Sequence, residues 1–155
     1  MQYLFLALLI IFSGCSTKDY KITKTKIIII KSQKLKFADV GYIRNSDKSL
    51  ELELFSAGKA IEKITINHLI CTTKGCMSKS GFNKEYLGVD YPSDILQNIL
   101  LGREIYDAKN VVKTPYGFEQ NIKNNSVDIV YKVDAQKIYF KDRKNKIILK
   151  IKDTK

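Results

Sequence analysis

The chain has no tryptophan, a single histidine and two prolines among 155 residues, and its eight glycines stand apart from one another. Isolated glycines mark turns, so no glycine-rich loop is present to cradle a phosphate. The one histidine, His68, falls on the apolar side of an alternating segment with no nucleophile beside it, which leaves a Ser-His-Asp arrangement without support. Asp39, Glu51, Glu53, Asp90 and Asp94 show no spacing that brings two carboxylates together for glycosidic chemistry. The expectation is a non-enzyme that uses no cofactor and no metal.

Long apolar runs are missing too. The longest, Tyr3 to Phe12, ends in Ser13-Gly14-Cys15 and falls well short of the roughly 20 apolar residues that span a bilayer as a helix. A short apolar core followed by small residues is the pattern of a secretory signal. With cysteine directly after the small pair, it resembles the bacterial lipobox, in which that thiol is acylated and becomes the mature N-terminus. Residues 1–14 are thus expected to be a lipoprotein signal peptide and Cys15 the acceptor of palmitate-type acyl chains. Two or more such chains anchor firmly, where one binds marginally. Ser16 after the acylated cysteine fits onward export to the outer membrane, with the domain facing the periplasm.

Acidic residues are scarce: 16 Asp and Glu stand against 27 Lys and Arg, a formal charge of +11. The first fifteen residues carry none of these charges. Such a balance in a cytosolic protein suggests nucleic acid; here export and the even spread of lysines argue against that partner. Two readings stay open, a solvated basic surface and attraction to the phosphates of anionic lipid or lipopolysaccharide. If Cys15 carries lipid, Cys71 and Cys76 remain as a pair. An oxidising compartment favours a disulfide across the Thr72-Thr73-Lys74-Gly75 turn. A zinc site from His68, Cys71 and Cys76 is the alternative, short of a fourth ligand.

Ser16 to Lys34, rich in lysine, reads as a tether interrupted by Ile27–Ile30, whose β-branched run suits a first strand. The folded domain is expected over residues 35–155. Leu50-Glu51-Leu52-Glu53-Leu54 alternates as a half-buried strand does, and Ile64, Ile66, His68 and Ile70 share a face of the next. Phe82–Leu87 reads as a short helix stopped by Gly88. Pro92-Ser93-Asp94 opens a second, with Ile95, Leu96, Ile99 and Leu100 as its stripe and Gly102 as its cap. Strands return over Val127–Val133, Ile138–Phe140 and Ile147–Ile151. This order predicts an α+β domain: a single curved antiparallel sheet, an open β-barrel, with two short helices packed in or over its concave face.

The segment Phe82-Asn83-Lys84-Glu85-Tyr86-Leu87-Gly88, continuing through Pro92 to Leu100-Leu101-Gly102-Arg103-Glu104-Ile105, resembles the two-helix stretch of the LolB-type outer-membrane lipoprotein receptors. Gly117-Phe118-Glu119-Gln120, Asp128-Ile129-Val130-Tyr131 and Ile147-Ile148-Leu149-Lys150-Ile151 come after it in the order of that family's strands. The resemblance implies a half-barrel whose helices lid an apolar cavity. It also implies an activity without covalent chemistry: accepting acylated lipoproteins from a periplasmic carrier and placing them in the outer membrane. Leu52, Leu54, Ile64, Ile66, Leu96, Ile99, Leu100 and Tyr131 are the expected lining for acyl chains. The competing reading is a structural or interaction lipoprotein with a solid core, whose basic surface docks a protein or glycan.

Overall fold

The β-branched run Ile27–Ile30 seeds the centre of the structure. Such residues are stiff at χ1 and pack well on a pleated surface, and the strand around them, β1, extends over Ile22–Lys31. The computed structural model describes residues 22–154; the expected signal peptide and Cys15 lie outside them. Ten further strands are present: β2 (Lys36–Asn45), β3 (Leu50–Ser56), β4 (Lys59–Ile66), β5 (Leu69–Thr72), β6 (Gly75–Ser78), β7 (Val111–Thr114), β8 (Gly117–Lys123), β9 (Asp128–Val133), β10 (Lys137–Asp142) and β11 (Ile147–Asp153). Helix α1 (Lys79–Phe82) runs into a π-helical turn at Asn83–Leu87, and α2 spans Ile95–Leu101.

All eleven strands form one sheet in the order β6-β5-β4-β3-β2-β1-β11-β10-β9-β8-β7, and the sheet is not closed. Each half is a meander of sequential neighbours. The exception is β1 with β11, which pair antiparallel from Lys26↔Asp153 to Lys31↔Ile148 and join the two halves. The basic tether is therefore shorter than expected: residues 22–31 are a central strand, bonded along its length to β2.

Alternation decides what is inside. Ile28, Leu50, Leu52, Leu54, Leu149 and Ile151 face the same side of the sheet and belong with Ile95, Leu96, Ile99 and Leu100 of α2 to one buried cluster. Gly41 sits among them because a side chain there would meet Ile28 Cδ1 at 2.7 Å and the Glu53 carbonyl at 2.9 Å. Gly102 ends α2 at φ 64°, the left-handed conformation that glycine adopts freely. Polar ties fix the segments before α2. The Ser32 hydroxyl donates to the Tyr86 carbonyl at 2.8 Å, and the Asn83 amide donates to the Pro92 carbonyl at 2.9 Å.

One expectation is corrected by the fold. His68 is exposed in the turn between β4 and β5 and not on a buried face, because the strand ends at Ile66. The expected Cys71–Cys76 disulfide is present and closes a β-hairpin, with Cys71↔Cys76 directly paired across β5 and β6. That bond removes both thiolates from the zinc alternative, and among the described residues no cluster of His, Cys, Asp and Glu could hold a metal ion.

Asp142 is the polar hub of the second half. Fully buried, it accepts from Tyr91 Oη at 2.7 Å, Asn145 Nδ2 at 2.7 Å and the amide of Lys144 at 3.0 Å. Burial alone pushes its carboxyl upward, but hydrogen bonds from Asn145, Tyr91 and the backbone amides of Asp128 and Asn145 outweigh this and hold it below its ordinary value of 3.8. A carboxyl lowered in the folded state adds stability above its unfolded pKa, and that stability is lost as pH falls through the folded value. Asp142→Asn removes the charged acceptor and leaves the Tyr91 hydroxyl short of a partner, a loss of about 2–3 kcal/mol in urea unfolding near neutral pH. The variant should also show a shallower fall in stability below about pH 4 than the parent chain.

A candidate acyl pocket at the end of the central seam

Strand β1 outruns β11: its first residue with a β11 partner is Lys26, so Ile22 to Thr25 continue past the end of the ladder. A cavity of about 320 Å³ opens there, at the lower end of the range typical of small-molecule pockets. Its apolar walls are Ile43 of β2, Ile138 of β10, Ile151 of β11, and Leu100 and Leu101 of α2. Lys24, Lys26 and Arg103 supply its cationic side. A second hollow of about 170 Å³ shares Lys24, Lys26, Leu101, Ile138 and Ile151 and reaches toward the β9–β10 turn.

The sequence explains this mixture. Lys24 and Lys26 have the same parity as Ile28 and Ile30, so the strand that carries isoleucines into the core carries lysines onto the same face nearer its start. Burial first, and Lys24 second, lower the pKa of Lys26. Lys26 is ion-paired with Asp153, its partner across the β1–β11 ladder. Two lysines two residues apart on one face repel each other, and an anion between them would relieve the repulsion.

Arg103 is placed by the segment after α2. The Tyr131 hydroxyl donates to the Arg103 carbonyl at 2.9 Å. Gln120, fully buried, donates from Nε2 to the carbonyls of Ile105 and Lys109 at 2.9 and 2.8 Å and accepts from the Ile105 amide at 2.9 Å. These bonds hold a stretch in which Tyr106, Asp107, Ala108 and Asn110 all have positive φ, a conformation uncommon outside glycine. Burial pushes the Tyr106 hydroxyl up to about 12, with the Asp142 charge adding to it.

The eight residues expected to line a cavity are all brought together. Leu52, Leu54, Ile64, Ile66, Leu96, Ile99, Leu100 and Tyr131 lie in one cluster at 0–3% exposure. Of them, Leu100 borders the pocket at the seam. The charged residues and Leu101, Ile138 and Ile151 were not foreseen there, although the parity of Lys24 and Lys26 with Ile28 is visible in the sequence. Comparisons of the chain with protein-family models, with curated proteins and with solved structures find no match. The LolB-type likeness is therefore carried by the residues quoted for it alone.

A cavity wall has fewer partner atoms to lose than a packed position. Leu52→Ala should cost toward the upper end, and Leu100→Ala toward the lower end, of the roughly 2–5 kcal/mol of core truncations. Urea unfolding of the two variants under one buffer checks the order.

Proposed function

We propose that this chain is a lipid-anchored envelope protein, held by acylated Cys15 at the outer membrane, that binds an acyl chain bearing an anionic group. The observation that carries the reading is the seam pocket: apolar walls from Ile43, Leu100, Leu101, Ile138 and Ile151, with Lys24, Lys26 and Arg103 beside them. Hydrocarbon would gain by leaving water for the walls. A carboxylate or phosphate would gain from lysine and arginine, arginine being suited to paired hydrogen bonds. Neither group alone fits the whole lining; an amphiphile fits both.

In this reading the sheet curves about the helical segment, as in a half-barrel, and α2 lids the concave side. Ligand exchange would proceed by movement of α2 against β1 and β10, with no bond made or broken. Acylated proteins delivered by a periplasmic carrier are one source of such a chain, in keeping with the LolB-type resemblance. A solid-core scaffold that docks a protein or glycan is the competing reading, favoured by the near-zero exposure of Leu52, Leu54, Ile64 and Ile66.

Native mass spectrometry of residues 16–155, exported to a periplasm without the anchor cysteine and purified gently, separates the two. Acyl binding predicts discrete added masses of fatty acid, phospholipid or lipopeptide, diminished in Leu100→Ala and in Arg103→Gln. A bare polypeptide mass, lower by two protons for the Cys71–Cys76 bond, supports the scaffold.

A further inference from the structure

The face of the sheet opposite the pocket carries a different pattern. Register places Lys152 of β11 directly across from Lys137 of β10, Lys150 across from Tyr139, and Ile148 between Lys31 and Lys141. Lys137 and Lys150 reach over the Tyr139 ring, their ammonium nitrogens 5.6 and 5.4 Å from its centre. On the other side of β11, Ile27 and Ile29 of β1 stand across from Lys152 and Lys150, and Ile27 is 40% exposed. Lysine thus alternates with isoleucine and tyrosine across three neighbouring strands.

The carboxylates on this face have partners, including Asp128 of β9, which lies 3.9 Å from Arg143. Glu119 of β8 is held by Lys132 at 2.7 Å. Glu51 of β3 is held by Arg44 at 3.0 Å and Lys63 at 2.9 Å. At the end of the lysine-bearing strands a hollow of about 400 Å³ is lined by Lys31, Lys141, Arg143 and Lys146 over Ile147 and Ile148. Its one acidic residue, Asp142, is already engaged by Tyr91 and Asn145. Like charges set directly opposite one another destabilise a sheet, and Lys137↔Lys152 is such a pair; Asp153, next to it on β11, is engaged by Lys26.

We infer that the β1–β11–β10 outer face is a docking surface for an anionic bilayer. Lysine ammoniums on long stems reach phosphates while their methylenes lie along apolar neighbours. Tyrosine, apolar in body and polar at its tip, suits the headgroup boundary. The exposed Ile27 adds apolar area to the same plane. The 320 Å³ pocket opens on the opposite face of the same strands, and of Lys137, Lys150 and Lys152 only Lys137 also borders the smaller hollow beside it. An anchored domain seated this way would present its pocket away from the lipid that holds it.

The test is co-sedimentation of the anchor-free chain from Ser16, which keeps every strand described above, with phosphatidylcholine vesicles with and without phosphatidylglycerol. Binding is expected only with phosphatidylglycerol. It should weaken sharply between about 0.1 and 1 M salt, as the screening length falls from about 10 to about 3 Å. The triple change Lys137→Gln, Lys150→Gln, Lys152→Gln should lower partitioning about 100-fold, at roughly fivefold per lysine. It should not lower the melting temperature, since it removes an opposed pair. Lys59→Gln with Lys74→Gln, exposed at the β3–β4 and β5–β6 turns and away from both surfaces, should leave partitioning unchanged. Equal binding to both vesicle types, no binding to either, or equal loss from this distant variant overturns the inference. So does tight binding to a polyanion such as heparin or RNA without binding to the vesicles.

Discussion

The ladder between β1 and β11 is the constraint on which the rest depends. It pairs Lys26–Lys31 with Ile148–Asp153, residues near opposite ends of the described chain. Each flanking meander, β2 to β6 and β10 to β7, is built from hairpins between sequential strands and needs only local closure. The seam alone makes them one sheet over one core. Its formation carries the largest loop-closure entropy in the fold, and Ile28 and Ile30 against Ile151 and Leu149 supply the apolar burial that offsets it.

The same seam carries both proposed surfaces. Its inner face is apolar where both strands run together and becomes mixed where β1 continues alone, and the pocket lies at that transition. Its outer face carries the opposed lysines around Tyr139. One strand therefore serves three purposes through parity alone: isoleucine into the core, lysine into the pocket, and isoleucine with lysine toward the other side. A one-residue slip of β1 would exchange these assignments, so the register that stabilises the fold also fixes both proposed surfaces.

Much of this was legible in the sequence, and the parts that were not have physical causes. The Leu50–Leu54 strand, the stop at Gly88 and the cap at Gly102 lie where the chain predicts, whereas α2 opens at Ile95 rather than at Pro92 and the first helical turn begins at Lys79 rather than at Phe82. The disulfide partners were legible by elimination and compartment. Strand β1 was half seen: Ile27–Ile30 declared itself, but Lys24 and Lys26 read as tether because their place beside the pocket depends on β2 and on α2, far along the chain. His68 was misplaced because period-2 counting cannot register the Asn67–His68 turn that restarts the strand. Arg103 could not be assigned to a pocket from sequence, since its position is set by Tyr131 and by Gln120 acting on a segment of positive φ.

The most direct measurement is an NMR experiment on the anchor-free chain with a carbon-13-labelled long-chain fatty acid, observing contacts between ligand methylenes and protein methyl groups. Acyl binding at the seam predicts cross-peaks from the chain to Leu100, Leu101, Ile138 and Ile151, and a shifted carboxylate signal that reverts in Lys24→Gln with Arg103→Gln. A saturated sample with no such cross-peaks, or with contacts confined to residues away from the end of β1, would contradict the pocket as the site of function.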